Sequence, residues 1–519
     1  MSGFAWNPEM KPREYQTNIY KIAKERNSLI VLPTGLGKTF IAAMVAKDTL
    51  EHGERVLFLA PTKPLVSQHF DTLKSMLQAE TPDIFYFTGE VDSLDRRYYW
   101  TRSSLIVSTP QLVWNDMRGG ELDISTFSLI IFDEAHRATG NYAYTFISRE
   151  FQKARKRLIL AMTASPGGTR EKLDEIRSNL GIEEVILKSD TDPDVAPYVG
   201  GITVNRVVLE LPPELREISR KVRLVIDSIS EKLKKSEFFK TTRMTRKELA
   251  SLIPRLIELA KGGNPELFGL IPYATAIIRL DYVLEYIESQ GPIVAFDYLK
   301  NIMESDEKSL KRTASILSKN PITGEIIESL ELASRSPSLN PKLSKTLELC
   351  EDSIKIKSDS KVIVFSHYRR SATLIKDYLS GNSTALRPVK FVGQSSREGD
   401  AGMSQKEQDD IITRFRSGEF NVLVATSVAE EGLDIPTTDR VIFFEPVPSE
   451  IRSIQRRGRT GRLHAGEVFI LMYSDTRDTG YYYSSQRKEK NMGTNIGKAV
   501  EEIRKERTGK KKVRLDDYF

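Results

Sequence analysis

Short apolar runs punctuate the first third of the chain, at residues 29–32, 56–60, 105–107, 129–132 and 158–162, each followed by a polar or helically patterned stretch. Runs that are apolar at every position, rather than at alternate ones, suit strands buried on both faces. The pattern therefore predicts a parallel sheet with crossover helices. A second series follows at 362–365, 389–392, 422–425, 441–444 and 468–472, interrupted only by Lys390. Between the two series the texture is helical, with Ile218, Val222, Leu224, Val225, Ile229 and Leu233 recurring at helical steps. The expected fold class is α/β, with two parallel-sheet domains and a helical domain inserted between them. The expected boundaries are 1–205 for the first domain, 206–345 for the insertion, 346–490 for the second domain and 491–519 for a basic tail.

Composition sharpens this picture in two places. The 519 residues are 39% apolar, enough for several ordinary cores. The net charge of +6 is unevenly spread: residues 211–261 hold 13 Lys and Arg against 7 Asp and Glu, an excess equal to that of the whole chain. A basic insertion is a candidate nucleic-acid surface. A lone cysteine, Cys350, excludes a disulfide framework or a Cys-rich metal site. There is no uninterrupted apolar run of about 18 residues, and the start at Met1 lacks the basic and apolar regions of a signal peptide. The expectation is a cytoplasmic protein, nucleoid-associated if archaeal, neither secreted nor membrane-bound.

The strongest local chemistry is Pro33-Thr34-Gly35-Leu36-Gly37-Lys38-Thr39, between a strand-like run and a helical one. Glycines let backbone N–H groups wrap a phosphate at a helix N-terminus, Lys38 is expected to neutralise phosphate oxygens, and Thr39 to ligate Mg²⁺. Leu32 stands where the strict pattern has its first glycine. Asp133-Glu134-Ala135-His136 follows the run 129–132, at the strand end where parallel sheets present ligand crevices. Asp133 is the candidate Mg²⁺ ligand and Glu134 the group that polarises an attacking water.

These two segments resemble motifs I and II of superfamily 2 helicases, and further motifs follow in order. Arg13 through Gln16 resembles the Q motif, which implies adenine recognition by Gln16 with Arg13 beside it. Thr62 and Lys63, Thr88, and Thr109 with Pro110 lie in segments similar to motifs Ia, Ic and Ib, which implies contacts to a nucleic-acid backbone. Thr163-Ala164-Ser165 resembles motif III. Thr426 and Asp434 fall in a motif V-like stretch, the first implied to touch a phosphate and the second the ribose. Gln455, Arg459 and Arg462 belong to a motif VI-like segment, with the arginines implied to reach the γ-phosphoryl group from the second domain. The resemblance implies two RecA-like domains, ATP and Mg²⁺ as cofactors, and an ATP-dependent helicase.

Within that superfamily the long insertion and the strings Leu32 through Thr39, Phe132 through Ala138 and Glu445 through Ser449 resemble the archaeal Hef and Fanconi anaemia group M branch. That branch implies 3′ to 5′ movement on DNA and a preference for forks and Holliday junctions, as in replication-fork repair. Lys234, Lys235 and Arg243, with neighbouring Lys232, Arg246 and Lys247, are the candidate duplex contacts of a DNA-binding, thumb-like insertion. No nuclease signature follows the second domain, so the expected form lacks a nuclease. Leu515, Tyr518 and Phe519 resemble a motif that docks on the PCNA sliding clamp, although Lys512 replaces its usual glutamine. An RNA helicase or double-stranded-RNA-stimulated ATPase is the competing expectation, since phosphate contacts do not read the sugar.

Overall fold

The computed structural model describes residues 4–79, 83–87, 93–154, 157–198, 202–234, 244–394, 402–426, 438–446 and 466–516. The first sheet has seven strands: β1 (Ser28–Val31), β2 (Val56–Leu59), β3 (Ile84–Phe87), β4 (Leu105–Ser108), β5 (Leu129–Phe132), β6 (Leu158–Thr163) and β7 (Glu184–Leu187). All pairings are parallel and the order is β3-β4-β2-β5-β6-β1-β7. Every residue of β1, β2, β4 and β5 is buried. Alternate side chains feed two cores: Leu29, Leu57, Leu59 and Ile130 point into one, and Ile30, Phe58, Leu129 and Ile131 into the other. Helices cover both faces, which is why these strands read as continuous apolar runs.

The second sheet comprises β8 (Ile202–Leu209), β9 (Val362–Phe365), β10 (Pro388–Phe391), β11 (Val422–Ala425), β12 (Arg440–Phe443) and β13 (Gly466–Tyr473), all parallel, in the order β10-β11-β9-β12-β13-β8. The two sheets give the two-domain α/β fold expected from the hydrophobic pattern.

β8 corrects the expected boundaries. Residues 202–209 pair along their whole length with β13, from Ile202↔Gly466 to Leu209↔Tyr473. The second domain thus begins before the insertion, and a division at 205/206 cuts one of its strands. β8 lies at the sheet edge with Val204 and Val208 exposed, so it lacks the uninterrupted burial that marked the other strands.

The insertion packs the helices Pro213–Lys234, Arg246–Lys261, Ile271–Glu285, Pro292–Glu304, Lys308–Leu317 and Ile322–Ser334 around one core. Along the first of these, Ile218, Val222, Val225, Ile229 and Leu233 are buried as the periodicity predicts, while Leu224 faces solvent. The span Pro265–Gln290 is long and apolar enough by composition to cross a membrane. Here its Ala274, Ala276, Leu280, Val283, Leu284 and Ile287 build the insertion core instead.

The expected tail at 491–519 is also corrected. One helix runs Arg477–Asp516, and its Ile496, Ala499, Val500 and Ile503 join the core on one face of the first sheet. Glu502 pairs there with Arg170. The chain therefore leaves the second domain and returns to pack against the first.

Candidate active site at the strand ends

The phosphate-loop candidate lies between β1 and the helix Lys38–Glu51. Leu32 carries no glycine-like demand: it is fully buried in the core, and its N–H donates to Thr163 O at 3.1 Å, extending the β1–β6 pairing. Gly35 and Gly37 adopt left-handed φ angles of 82° and 75°. At Gly37 a Cβ would come within 2.5 Å of Gln16 Nε2. Lys38 Nζ donates to Leu32 O at 2.9 Å and Pro33 O at 3.4 Å, which holds the ammonium over the loop. Thr34 and Thr39 are half-buried on either side of it.

The loop is braced from behind by the helix Glu14–Ala23. Arg13 N–H donates to Gln16 Oε1 at 2.9 Å, and Gln16 Nε2 and Tyr15 OH donate to Leu36 O at 3.3 and 2.7 Å. Burial pushes the Tyr15 phenol up, keeping it a donor. The guanidinium of Arg13 lies 4.8 Å from the Tyr198 ring centre. Gln16 thus spends part of its amide on the loop itself, a link absent from the expectation that it serves adenine.

Asp133 ends β5 and is 5% exposed. Its N–H donates to Leu59 O at 2.9 Å, and its carbonyl accepts from Tyr144 OH at 2.7 Å. The carboxylate Oδ2 lies 2.8 Å from His69 Nε2. Burial opposes ionisation, but His69 and Lys38 beside it hold the carboxyl below the usual carboxylate range. Glu134 takes a left-handed φ of 48°. Its Oε2 lies 3.2 Å from His136 Nδ1, which is also 3.2 Å from Thr163 Oγ1. Thr163 Oγ1 in turn donates to Ser165 O at 2.9 Å and accepts from Ser165 N–H at 3.1 Å. The acidic segment and the turn after β6 therefore form one hydrogen-bonded unit.

The donor set fits a magnesium nucleotide: a loop with two left-handed glycines, a lysine, a threonine, and a buried ionised aspartate within the lysine's field. Tyr15, His69 and Tyr144 were not foreseen, since a Tyr or His on an ordinary helix carries no local signal.

Thr62 and Thr109 follow the neighbouring strands β2 and β4 and stand at the N-cap positions of the helices Lys63–Met76 and Pro110–Arg118, without a side-chain cap hydrogen bond. Pro64 and Pro110 sit at the first turns, where a missing N–H costs nothing. Thr62 Oγ1 is buried without a hydrogen-bond partner. Two helix N-termini thus open on the same sheet edge as Asp133. In the second domain Thr426 follows β11, buried, with its N–H donating to Phe391 O at 3.1 Å. Thr88, Asp434, Gln455, Arg459, Arg462, Lys235, Arg243, Tyr518 and Phe519 lie outside the described residues, and of Leu515 only the helical backbone is described.

In the insertion Lys232, Lys234 and Lys247 are exposed. Arg246 is not part of that surface: it pairs with Asp281 at 2.7 Å and Glu285 at 2.6 Å, with its guanidinium 3.7 Å from the Tyr282 ring centre. It belongs to a polar seam that ties the insertion to the second domain. The seam centres on a π-helical turn at Tyr286–Gln290. Ser371 Oγ donates to Gln290 Oε1 at 2.6 Å, Tyr368 OH to Glu285 Oε1 at 2.7 Å, and Arg477 pairs with Asp281. At its heart the fully buried Lys342 and Asp478 pair at 2.6 Å, and Lys342 also donates to Ser289 O at 2.9 Å. The insertion is thereby joined to the second domain.

Two family models match: the helicase conserved C-terminal domain over residues 342–464, and the res subunit of type III restriction enzymes over 9–168. The solved Hef helicase domain of Pyrococcus furiosus is 40% identical, with a TM-score of 0.70, over 91% of this chain and 98% of that one. A Methanocaldococcus jannaschii protein, provisionally named an ATP-dependent RNA helicase, is 36% identical over 94% of this chain and 62% of its own length. The Fanconi anemia group M protein of Gallus gallus is 32% identical over 95% of this chain and 26% of its own length. The chain thus spans less than two thirds of either curated relative.

Proposed function

This chain belongs to the Hef and Fanconi anaemia group M branch of superfamily 2 helicases and is an ATP-dependent helicase; on that premise we propose that it translocates 3′ to 5′ along DNA and acts on forks and Holliday junctions in replication-fork repair. The observation that carries this reading is the shared carboxyl end of the first sheet, where the segments after β1 and β5 and the helix N-termini after β2 and β4 all emerge from one parallel sheet. A group that hydrolyses ATP and a group that grips phosphates then rest on one rigid scaffold.

In this reading Lys38 neutralises the β- and γ-phosphate oxygens, and Glu134 orients and deprotonates the attacking water. A bound Mg²⁺, held by Thr39 and Asp133, would supply charge stabilisation at the phosphates. Arg459 and Arg462 enter from the second domain when the domains close, so hydrolysis waits on closure. Thr62, Lys63, Thr88, Thr109 and Pro110 hold the strand on one side, and Thr426 on the other. Alternate approach of the two sets moves the protein along the backbone without reading sequence. The insertion, carrying Lys232, Lys234, Lys235 and Arg243, holds the duplex arm and travels with the second domain. Leu515, Tyr518 and Phe519 tether the motor to the PCNA clamp, and the protein works in the cytoplasm, at the nucleoid if the chain is archaeal.

One assay tests the reading: ATP hydrolysis with fork DNA, a four-way junction, single-stranded DNA or duplex RNA, with Lys38→Ala as the blank. The expected order places branched DNA first. Duplex RNA as the strongest activator would replace the DNA reading with the RNA one.

A further inference from the structure

We propose that His69 is a positioning residue that makes the orientation of the Asp133 carboxylate depend on whether a nucleic-acid strand occupies the N-terminus of the helix Lys63–Met76. The inference rests on the reading of Thr62 and Lys63 as strand contacts.

His69 joins the helix that follows β2 to the acidic segment that follows β5. It lies six residues beyond Lys63 in the same helix, which at the α-helical rise is about 9 Å along the axis. Its side chain is buried, its ring centre is 4.5 Å from that of Phe58 on β2, and its Nε2 donates to Asp133 Oδ2 at 2.8 Å. The backbone of Asp133 is pinned on both sides, by its own N–H to Leu59 O and by Tyr144 OH to its carbonyl. His69 donates to the carboxylate from a helix outside this segment, while the charge of Lys38 and the Glu134 backbone also favour its ionised form.

At the N-terminus of the helix the Thr62 Oγ1 is buried with no hydrogen-bond partner among the described residues, so this side chain does not anchor the helix end. A strand phosphate that engages Lys63 and the first-turn N–H groups pulls on the helix end. A helix moves as a rigid rod over this length, so His69 moves with it, and Oδ2 is turned or released. Binding at the strand site thus changes the reaction centre through one hydrogen bond rather than through the sheet.

The test compares parent, His69→Phe, His69→Asn and His69→Gln. Phenylalanine keeps a ring against Phe58 but has no donor, asparagine has a donor too short to reach, and glutamine restores a donor at similar reach. The readout is the ratio of ATP turnover with and without saturating single-stranded DNA, together with strand affinity from fluorescence anisotropy and the Mg²⁺ concentration for half-maximal turnover. A hydrogen bond to a charged group is worth about tenfold or more. The stimulation ratio is expected to fall by about tenfold in His69→Phe and His69→Asn, with strand affinity retained and the Mg²⁺ requirement shifted, and to recover in His69→Gln. A parent-like ratio in both His69→Phe and His69→Asn overturns the inference alone. An equal fall in all three variants also overturns it, since it assigns His69 to packing. A parent enzyme that no nucleic acid stimulates removes the functional reading itself, and the inference with it.

Discussion

His136 Nδ1 stands 3.2 Å from Thr163 Oγ1, so the histidine after β5 and the threonine that ends β6 share a hydrogen bond at the carboxyl end of the first sheet. Because Thr163 also holds both ends of Ser165, a shift at His136 reaches the following turn. His136→Ala and Thr163→Val are each expected to lower strand movement by about tenfold more than ATP turnover, the scale of one lost hydrogen bond. A double-mutant cycle on translocation rate checks this, and the double variant should be little worse than either single one. Additive losses would mean that the two residues act independently.

Gly37 is the loop position with least room. Its φ of 75° and the 2.5 Å approach of a Cβ to Gln16 Nε2 mean that Gly37→Ala must displace both Gln16 and the loop. The backbone strain alone costs about 1–2 kcal/mol. We expect KM for ATP to rise about tenfold or more in steady-state assays, following the usual conversion of such an energy into affinity. Lys38→Ala should abolish turnover in the same assays, since it removes the ammonium that bonds the loop carbonyls and acts on Asp133.

The Lys342–Asp478 pair has no exposed side-chain surface. Removing one partner strands the other charge in the interior, and Lys342→Ala is expected to cost about 3–5 kcal/mol in urea unfolding. The double substitution Lys342→Met with Asp478→Leu should recover most of that loss. If Lys342→Ala is neutral, the seam is not what fixes the insertion to the second domain.

Acid should loosen the same seam. Asp281 is held below its ordinary range because Arg477 and Arg246 outweigh its burial. A depressed folded pKa contributes stability that is fully present above the unfolded value of about 3.9 and is lost as pH falls through the folded one. The melting temperature should therefore fall as pH drops below about 4, and Asp281→Asn should flatten that part of the profile. An unchanged profile in Asp281→Asn would place the acid sensitivity elsewhere.

Much of the proposed nucleotide site was legible because its chemistry is local. The glycines that take left-handed φ, the lysine that follows them and the acidic pair at a strand end are short strings whose meaning does not depend on distant contacts. Arg246 shows the opposite case. In sequence it is one of a cluster of basic residues, and only the presence of Asp281, Glu285 and the Tyr282 face makes it a structural cation. His69 and Tyr144 were silent for the same reason, because their partners lie 64 and 11 residues away.

The sequence by itself determined the two α/β domains and the helical insertion, since strands buried on both faces and helices with one buried face leave different periodicities in the chain. Residues 491–519, by contrast, read as a basic tail, although Ile496, Ala499, Val500 and Ile503 form a buried helical stripe. Only the tertiary structure decided that this stripe closes on the first sheet, that β8 completes the second sheet, and that His69 faces Asp133. Periodicity reports that a side chain is buried. Which surface buries it depends on how distant segments pack, and no local stretch of the chain carries that information.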